Sequence, residues 1–197
     1  MQLAQSKTLN NLAAAFAGES QARNRYLFYA EQARNEKLYT LARQIEEIAQ
    51  NELAHAKVFY DHIIKGAPEC GDNITVQGDY PYHQGSTQDN LMHSMEAELD
   101  EHLNIYPGFA QVAQEEGFTG IAASFTEIAK IEEQHANIYR QLYEQVKEGS
   151  LYKKAVPTTW RCQNCGYMHT GTEAWKVCPV CQHDQGFVEV KVSTGGN

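Results

Sequence analysis

Residues 48–56, Ile48-Ala49-Gln50-Asn51-Glu52-Leu53-Ala54-His55-Ala56, return eighty positions later as Ile128-Ala129-Lys130-Ile131-Glu132-Glu133-Gln134-His135-Ala136. Extended outward, residues 26–60 laid over 106–140 without a gap share eleven identities in thirty-five positions. A Glu and a His three apart on a helix face the same side, about 4.5 Å apart along the axis. Two such helices facing each other turn two carboxylates and two imidazoles toward one centre. One Glu from each of two further helices completes the ligand set of a carboxylate-bridged di-iron or di-manganese site inside a four-helix bundle. The spacing therefore predicts both a mainly α fold and a dinuclear metal site.

The composition sets limits on the alternatives. A chain of 197 residues holds one good core plus a small accessory module. Its formal net charge of -9 argues against nucleic-acid binding, which usually needs a basic surface. No apolar run approaches the roughly 18–20 residues that span a bilayer, so no membrane association is expected. Residues 1–20 lack both a basic n-region and a continuous apolar stretch, the marks of a secretory signal. Four of the five cysteines stand in Cys-x-x-Cys pairs, which points to metal ligation rather than disulfides and to a cytoplasmic protein.

Apolar periodicity predicts helices over residues 7–35, 37–64, 88–116 and 119–147, with Pro107-Gly108 bending the third. The stretch from Gly66 to Asp89 is long for a helix–helix connection and suits a crossover between parallel neighbours. The resulting division is a bundle over residues 1–148, a linker over 149–159 and a tail over 160–197. Within the repeat one offset breaks the pattern. Glu19 precedes Tyr26 by seven residues, whereas Glu98 precedes Tyr106 by eight. One extra residue in the third helix, absorbed as a π-bulge between Glu98 and Tyr106, restores a common face.

The candidate ligands of the dinuclear site are Glu19, Glu52, His55, Glu98, Glu101, Glu132 and His135. Each pair lies among Ile, Ala, Val and Phe, and Glu19 follows Phe16-Ala17-Gly18 on an apolar face. Carboxylates left unpaired there would be costly, and a bound cation removes the cost. Two ferrous ions carry four positive charges, which Glu19, Glu52, Glu98 and Glu132 neutralise. Oxidation adds two more, and Glu101, a fifth carboxylate on the face of Glu98, is placed to offset part of them. Tyr26 and Tyr106 are either hydrogen-bond donors to the ligands or plain core tyrosines. His62, His83, His93 and His102 have no partner at ligand spacing and read as surface residues.

In the tail, Cys162-Gln163-Asn164-Cys165 and Cys178-Pro179-Val180-Cys181 form two knuckles separated by twelve residues. Four thiolates at this spacing make a tetrahedral site for iron or zinc. About forty residues bury too little core alone, so the ion also holds the module together, with Trp160, Tyr167 and Trp175 as a small aromatic core. Cys70 stands outside both pairs and reads as an incidental free thiol.

On these motifs the chain resembles the rubrerythrin family over essentially its whole length. The resemblance rests on Ala15-Phe16-Ala17-Gly18-Glu19-Ser20-Gln21-Ala22-Arg23-Asn24-Arg25-Tyr26, on Glu52-x-x-His55, Glu98-x-x-Glu101, Tyr106-Pro107 and Glu132-x-x-His135, and on the stretch from Trp160 through Cys181. It implies a ferritin-like di-iron bundle followed by a small rubredoxin-like domain. It implies further that Glu52 and Glu132 bridge the irons, that Glu19 and Glu98 are terminal ligands, and that His135 binds the second iron. His55 and Glu101 would exchange at the first iron with redox state. Cys162, Cys165, Cys178 and Cys181 would hold a single iron, for which zinc can substitute. Gln182 departs from the glycine that usually follows the last cysteine in free rubredoxins.

The activity the resemblance implies is reduction of hydrogen peroxide to water, with electrons from NADH delivered through a reductase or a rubredoxin. Peroxide reduction takes two electrons, which a ferrous pair supplies together, and the departing oxygen needs a proton. Glu101 is the candidate donor and Tyr26 the second. The main rival is a ferroxidase or ferritin-like iron-storage protein, which would not need an electron-input tail. A binding protein with a zinc-ribbon tail is the other, and the acidic balance is against it. The short linker leaves helix four about 20 Å from His135 along the axis. The tail is therefore not expected beside its own dinuclear site, and the resemblance implies a head-to-tail homodimer or larger homo-oligomer.

Overall fold

The computed structural model describes residues 2–67 and 73–190. Cys70 lies outside the described residues. Helix α1 spans Lys7–Asn35 and opens on Ser6, whose hydroxyl accepts from the Leu9 N–H at 3.1 Å. It turns back through Lys37 and Leu38 into α2, Tyr39–Gly66. An extended crossover leads to α3, Thr87–Asp100, which begins in a capping box between Ser86 and Asp89. Then comes a π-turn over Glu101–Ile105, closed by the Tyr106 N–H on the Glu101 carbonyl. Helix α4, Tyr106–Glu115, continues the same rod, and α5 covers Thr119–Lys147. The bulge expected between Glu98 and Tyr106 is thus present. Pro107, which has no N–H and crowds the carbonyl four residues back, sits immediately after it.

The internal repeat is visible in the packing. Helices α1 and α2 form one hairpin, α3–α4 and α5 the other. Glu36, in the first interhelical turn, accepts from the Thr87 N–H at 2.9 Å and caps the start of α3. Its counterpart eighty residues on, Glu116, accepts from the Lys7 N–H at 3.0 Å and the Thr8 N–H at 2.9 Å, capping α1. Each hairpin therefore closes the orphan donors of the other.

Two apolar clusters fill the bundle. One gathers Leu9, Leu12, Phe59, Ile63, Tyr106 and Phe125; the other gathers Tyr26, Tyr29, Leu41, Ile45, Leu91 and Tyr139. Each fully buried Leu, Ile or Phe stabilises the fold by about 1.5–3 kcal/mol. The metal-ligand candidates occupy the layer between the two clusters along every helix. No helix among the described residues is long and apolar enough to cross a membrane.

The tail is an antiparallel sheet in the order β2-β1-β3, with β1 at Lys153–Cys162, β2 at Met168–Glu173 and β3 at Val188–Val190. Strand β1 starts inside the stretch that reads as linker in the sequence. Its pairing with β2 is irregular between Lys153 and Thr158, where Pro157 cannot donate to the ladder. Trp160 is buried, and its indole N–H donates to the Gly171 carbonyl at 2.9 Å. Its core partners are Ala174 and Val188, with Tyr152 and Trp175 packed against them; Tyr167 meets Trp175 edge-on at 5.0 Å.

The tail is seated on the turn between α1 and α2. Phe187 stacks on Tyr39 at 4.3 Å, and the Thr40 hydroxyl donates to the Val188 carbonyl at 3.4 Å. Gly186 lies so close to this turn that an added Cβ would stand 1.9 Å from the Lys37 carbonyl oxygen. Thr40 is twelve residues before Glu52, about 18 Å along the helix, so the tail does not lie against its own glutamate layer. Gly186→Ala should unseat the tail without unfolding either part. We expect unchanged helix content and an unchanged spectrum of the four-cysteine site, with at least tenfold faster proteolysis between Gly149 and Thr158. Wild-type proteolysis rates would mean that the close approach does not hold the tail.

Candidate metal centres

Glu19, Glu52, Glu98 and Glu132 come from α1, α2, α3 and α5 and are at most 1 % exposed. His55 and His135, one turn after Glu52 and Glu132, are buried beside them. Ligand atoms of Glu19, Glu52, His55 and Glu132 form one compact group, and those of Glu52, Glu98, Glu132 and His135 a second. Glu52 and Glu132 belong to both. His55 Nδ1 lies 3.0 Å from Glu52 and 3.1 Å from Glu132; His135 Nδ1 lies 2.9 Å from Glu132 and 3.2 Å from Glu52. The two rings are nearly parallel, with centroids 5.8 Å apart. The repeat has been converted into a pseudo-twofold site.

The surrounding hydrogen bonds follow the same symmetry. Tyr106 donates to Glu19 Oε1 at 2.5 Å, and Tyr26 donates to Glu98 Oε1. Each hairpin's tyrosine thus orients the carboxylate of the other, which decides against the plain core reading. One orienting residue has no signature in the repeat. Asn51 Oδ1 lies 3.3 Å from His135 Nε2, where an Nε2–H would donate to it and turn Nδ1 toward the carboxylates. Its counterpart at the other histidine is Ile131, so the spacing could not reveal it.

Glu101 stands at the start of the π-turn, half-buried, and contributes to neither compact group among the described residues. The next residue, His102, is not the free surface group its spacing suggests. Its Nδ1 lies 2.7 Å from the Ala129 carbonyl and ties the π-turn to α5. His62 is likewise half-buried, bridged to Ser124 at 2.8 Å. His83 is exposed and stacks on His93 at 4.0 Å.

The donor set fits a pair of cations. Glu19 Oε2, Glu52 Oε1, Glu98 Oε2, both Glu132 oxygens and His135 Nδ1 are buried with no well-directed hydrogen bond, and their only close polar neighbours are one another and His55. Six buried ligand atoms crowded together in one layer are what metal ions satisfy. With no ion bound, protons must do the work. Burial, with Glu52 and Glu132 nearby, raises the Glu19 carboxyl well above its usual range, and burial pushes Glu98 up to about 8. Burial and neighbouring Glu98, Glu132 and Glu52 also raise Glu101. The histidines move the other way from what burial alone dictates. Contacts with Glu132 and Glu52 hold His55 at about 9 and His135 at about 12, and against its burial Glu52 is in turn held down to about 2 by His135 and His55.

The four-cysteine site fits a single ion as closely. Cys162 and Cys181 sulfurs are 3.7 Å apart, as are those of Cys165 and Cys178. Ligands about 2.3 Å from a tetrahedral centre are separated by about 3.8 Å. Both knuckles close with a left-handed residue, Gly166 at φ 79° and Gln182 at φ 60°. Their N–H groups donate to the Cys162 carbonyl at 2.8 Å and the Cys178 carbonyl at 3.0 Å. Gln182 therefore keeps the turn despite its side chain, at a cost of about 1 kcal/mol.

A four-helix bundle with this carboxylate–histidine layer and a four-thiolate tail defines a ferritin-like di-iron protein with a rubredoxin-like module. Residues 10–143 match the family model described as Rubrerythrin, and residues 160–187 match the rubrerythrin rubredoxin-like domain. Rubrerythrin-1 of Clostridium acetobutylicum is 39% identical over 94% of both chains. A rubrerythrin of Porphyromonas gingivalis is 40% identical over 93% of this chain and 90% of its own. Fully reduced, all-ferrous nigerythrin is similar in structure, with TM-score 0.62, 30% identity, and coverage of 96% of this chain and 92% of that one. The chain belongs to the rubrerythrin family, whose members are oxidoreductases. Its cofactors are a carboxylate–histidine di-iron centre and one iron in the four-cysteine site.

Because His55 and His135 are held charged and Glu98 neutral near pH 7 without metal, loading the site must displace protons. Anaerobic ferrous titration of the metal-free protein at pH 7 should release at least two protons per dinuclear site, and affinity should fall as pH is lowered. Release of fewer than one proton would show that the histidines are already neutral.

Proposed function

We propose that the chain is a peroxidase that reduces hydrogen peroxide to water in the cytoplasm and protects against oxidative stress. The observation that carries this reading is the presence in one chain of two unlike metal sites. One is a buried dinuclear ligand set lying beside an open groove; the other is a closed four-thiolate site. An iron pair held by these residues would supply the two electrons that peroxide reduction takes. We assign Glu52 and Glu132, shared by both compact groups, as the bridging carboxylates, with Glu19 and Glu98 as terminal ligands. His135 would hold the second iron, and His55 and Glu101 would hold the first in its two redox states.

Tyr106 and Tyr26 fix the terminal carboxylates through one oxygen each, leaving the other free for a metal. Glu101 is the proton donor to the departing oxygen, since it borders the groove and the cluster together. Tyr26 ranks second, because its hydroxyl is engaged with Glu98. Cys162, Cys165, Cys178 and Cys181 relay electrons from a rubredoxin or an NADH-dependent reductase. The seating of the tail far from its own glutamate layer supports a head-to-tail homodimer in which each tail serves the partner's centre.

NADH-driven peroxide turnover, with iron per subunit measured alongside, tests the assignment. Glu132→Ala should lower turnover at least a hundredfold with loss of dinuclear iron, whereas Glu101→Gln should keep the ferrous pair and lower turnover about tenfold. Turnover near wild type in Glu132→Ala removes the assignment of the chemistry to the dinuclear site, and iron storage beyond three ions per chain without peroxide turnover removes the peroxidase reading. A mixture of Cys162→Ser and Glu52→Ala subunits tests the relay between chains. Heterodimers should recover peroxide reduction, because one intact tail then faces one intact centre. Confirmed heterodimers without recovery would place electron transfer within a chain.

A further inference from the structure

A groove of about 790 Å³ lies between α1, the α3–α4 rod and crossover residues 77–83. No residue of α2 or α5 lines it. At its inner side are Glu101 and Tyr106, the latter already bonded to Glu19. Hydrogen peroxide, with two oxygens, needs about twice the roughly 30 Å³ that a water occupies. The groove is therefore roughly ten times larger than that substrate requires, and it falls in the size range of sites for organic ligands of about 300–1,000 Å³.

Its walls are built to leave this space open. The residues before the two terminal carboxylates are Gly18 and Ala97, and Gly108 follows Tyr106 by two. A Cβ on Gly18 would make only ordinary contact with Tyr80 at 3.8 Å, and one on Gly108 would meet nothing within 4 Å. Packing therefore does not force glycine at either helical position. The crossover is tethered as a roof, with the Gln21 amide donating to the Pro81 carbonyl at 2.7 Å and the Tyr80 hydroxyl to the Ala14 carbonyl at 3.3 Å. Arg25, also lining the groove, is 6% exposed, and its Nη1 is buried without a partner. An unpaired guanidinium nitrogen in a largely apolar wall is a donor waiting for a ligand oxygen.

We propose that this groove binds the organic part of larger hydroperoxides, so that the protein reduces alkyl and aralkyl hydroperoxides as well as hydrogen peroxide. The inference rests on the peroxidase reading above. The reaction balances as ROOH + 2 e⁻ + 2 H⁺ → ROH + H₂O. The O–O bond breaks, the oxygen attached to R leaves as the alcohol, and the other leaves as water. Both electrons come from the reduced dinuclear centre, which the rubredoxin-type donor reloads. The R group lies along α1 and α4, the hydroperoxide end points to Glu101, and Arg25 donates to an oxygen of the ligand.

The test compares cumene hydroperoxide with hydrogen peroxide on the full-length iron-loaded protein, wild type and with Gly18→Leu or Gly108→Leu. Both substitutions fill the groove and favour the helix they sit in. Wild type should reduce both substrates, and the ratio of kcat/KM for cumene hydroperoxide to that for hydrogen peroxide should fall at least tenfold in each variant. Saturation-transfer NMR with the unreactive product, 2-phenylpropan-2-ol, should show binding to wild type that is lost in Gly18→Leu. Reduction of hydrogen peroxide without cumene hydroperoxide, or an unchanged ratio in both variants, overturns the proposal and leaves the peroxidase reading standing. Failure with both substrates overturns the two together.

Discussion

Four carboxylates with almost no solvent exposure share one layer of the bundle, and the rest of the structure is arranged around that charge. Two unit charges 4 Å apart repel by about 4 kcal/mol even at an effective dielectric constant near 20. Four in contact cannot all remain ionised and unpaired. The chain answers with two tyrosine hydroxyls, two imidazoles and a ligand geometry that admits two cations. The apolar clusters on either side exclude water, so no alternative screening is available. The same exclusion makes the layer a strong metal site and an unfavourable empty one, which is why protons fill it when metal is absent.

Near-symmetry explains what is shared between the two metal positions; its failure explains what differs. Glu52 with His55 and Glu132 with His135 are equivalent, as are Tyr26 and Tyr106. The π-turn breaks the match, adding one residue to the second hairpin only. Glu101 sits there, and the corresponding region of α1 holds Gln21 and Ala22, neither of which is acidic. The second hairpin therefore carries a further carboxylate near Glu19, and the first hairpin carries none at the matching position. His102 on the Ala129 carbonyl ties this turn to α5.

Periodicity was enough to read most of this from the residues. Helix α1 occupies residues 7–35 and α5 residues 119–147 as the apolar stripes predict, and the seven-against-eight offset locates the π-turn. Legibility failed where a contact joins segments remote in sequence. Helix α2 begins at Tyr39 rather than Lys37 because Lys37 adopts φ 62° in the turn on which the tail rests. Pro157 and Gly149 suggested a linker, yet β1 starts at Lys153 because a proline at an irregularity in the sheet still permits pairing on either side. Asn51 and His102 each act through one nitrogen-to-oxygen contact across the bundle, and neither has a partner at a fixed spacing. Arg25 was visible only as part of a helical motif; its burial and unpaired nitrogen require the folded crossover beside it.

The placement of the tail constrains the electron relay proposed for it. Gly186 against the Lys37 carbonyl, Phe187 on Tyr39 and Val188 on Thr40 form a seat from three consecutive residues. A connection made only to increase local concentration would need a flexible linker and no seat. A seated tail keeps one direction and one distance, and that distance separates it from its own glutamate layer by about twelve residues of helix, about 18 Å. Rigid seating is useful when the receiving centre is also at a fixed position, as it would be in the proposed head-to-tail dimer. The cost of the arrangement falls on Lys37, a non-glycine residue in the left-handed region whose repeat counterpart is Gly117. The α4–α5 turn, on which the tail does not rest, uses glycine, and the α1–α2 turn that seats the tail uses lysine and presents its carbonyl to Gly186.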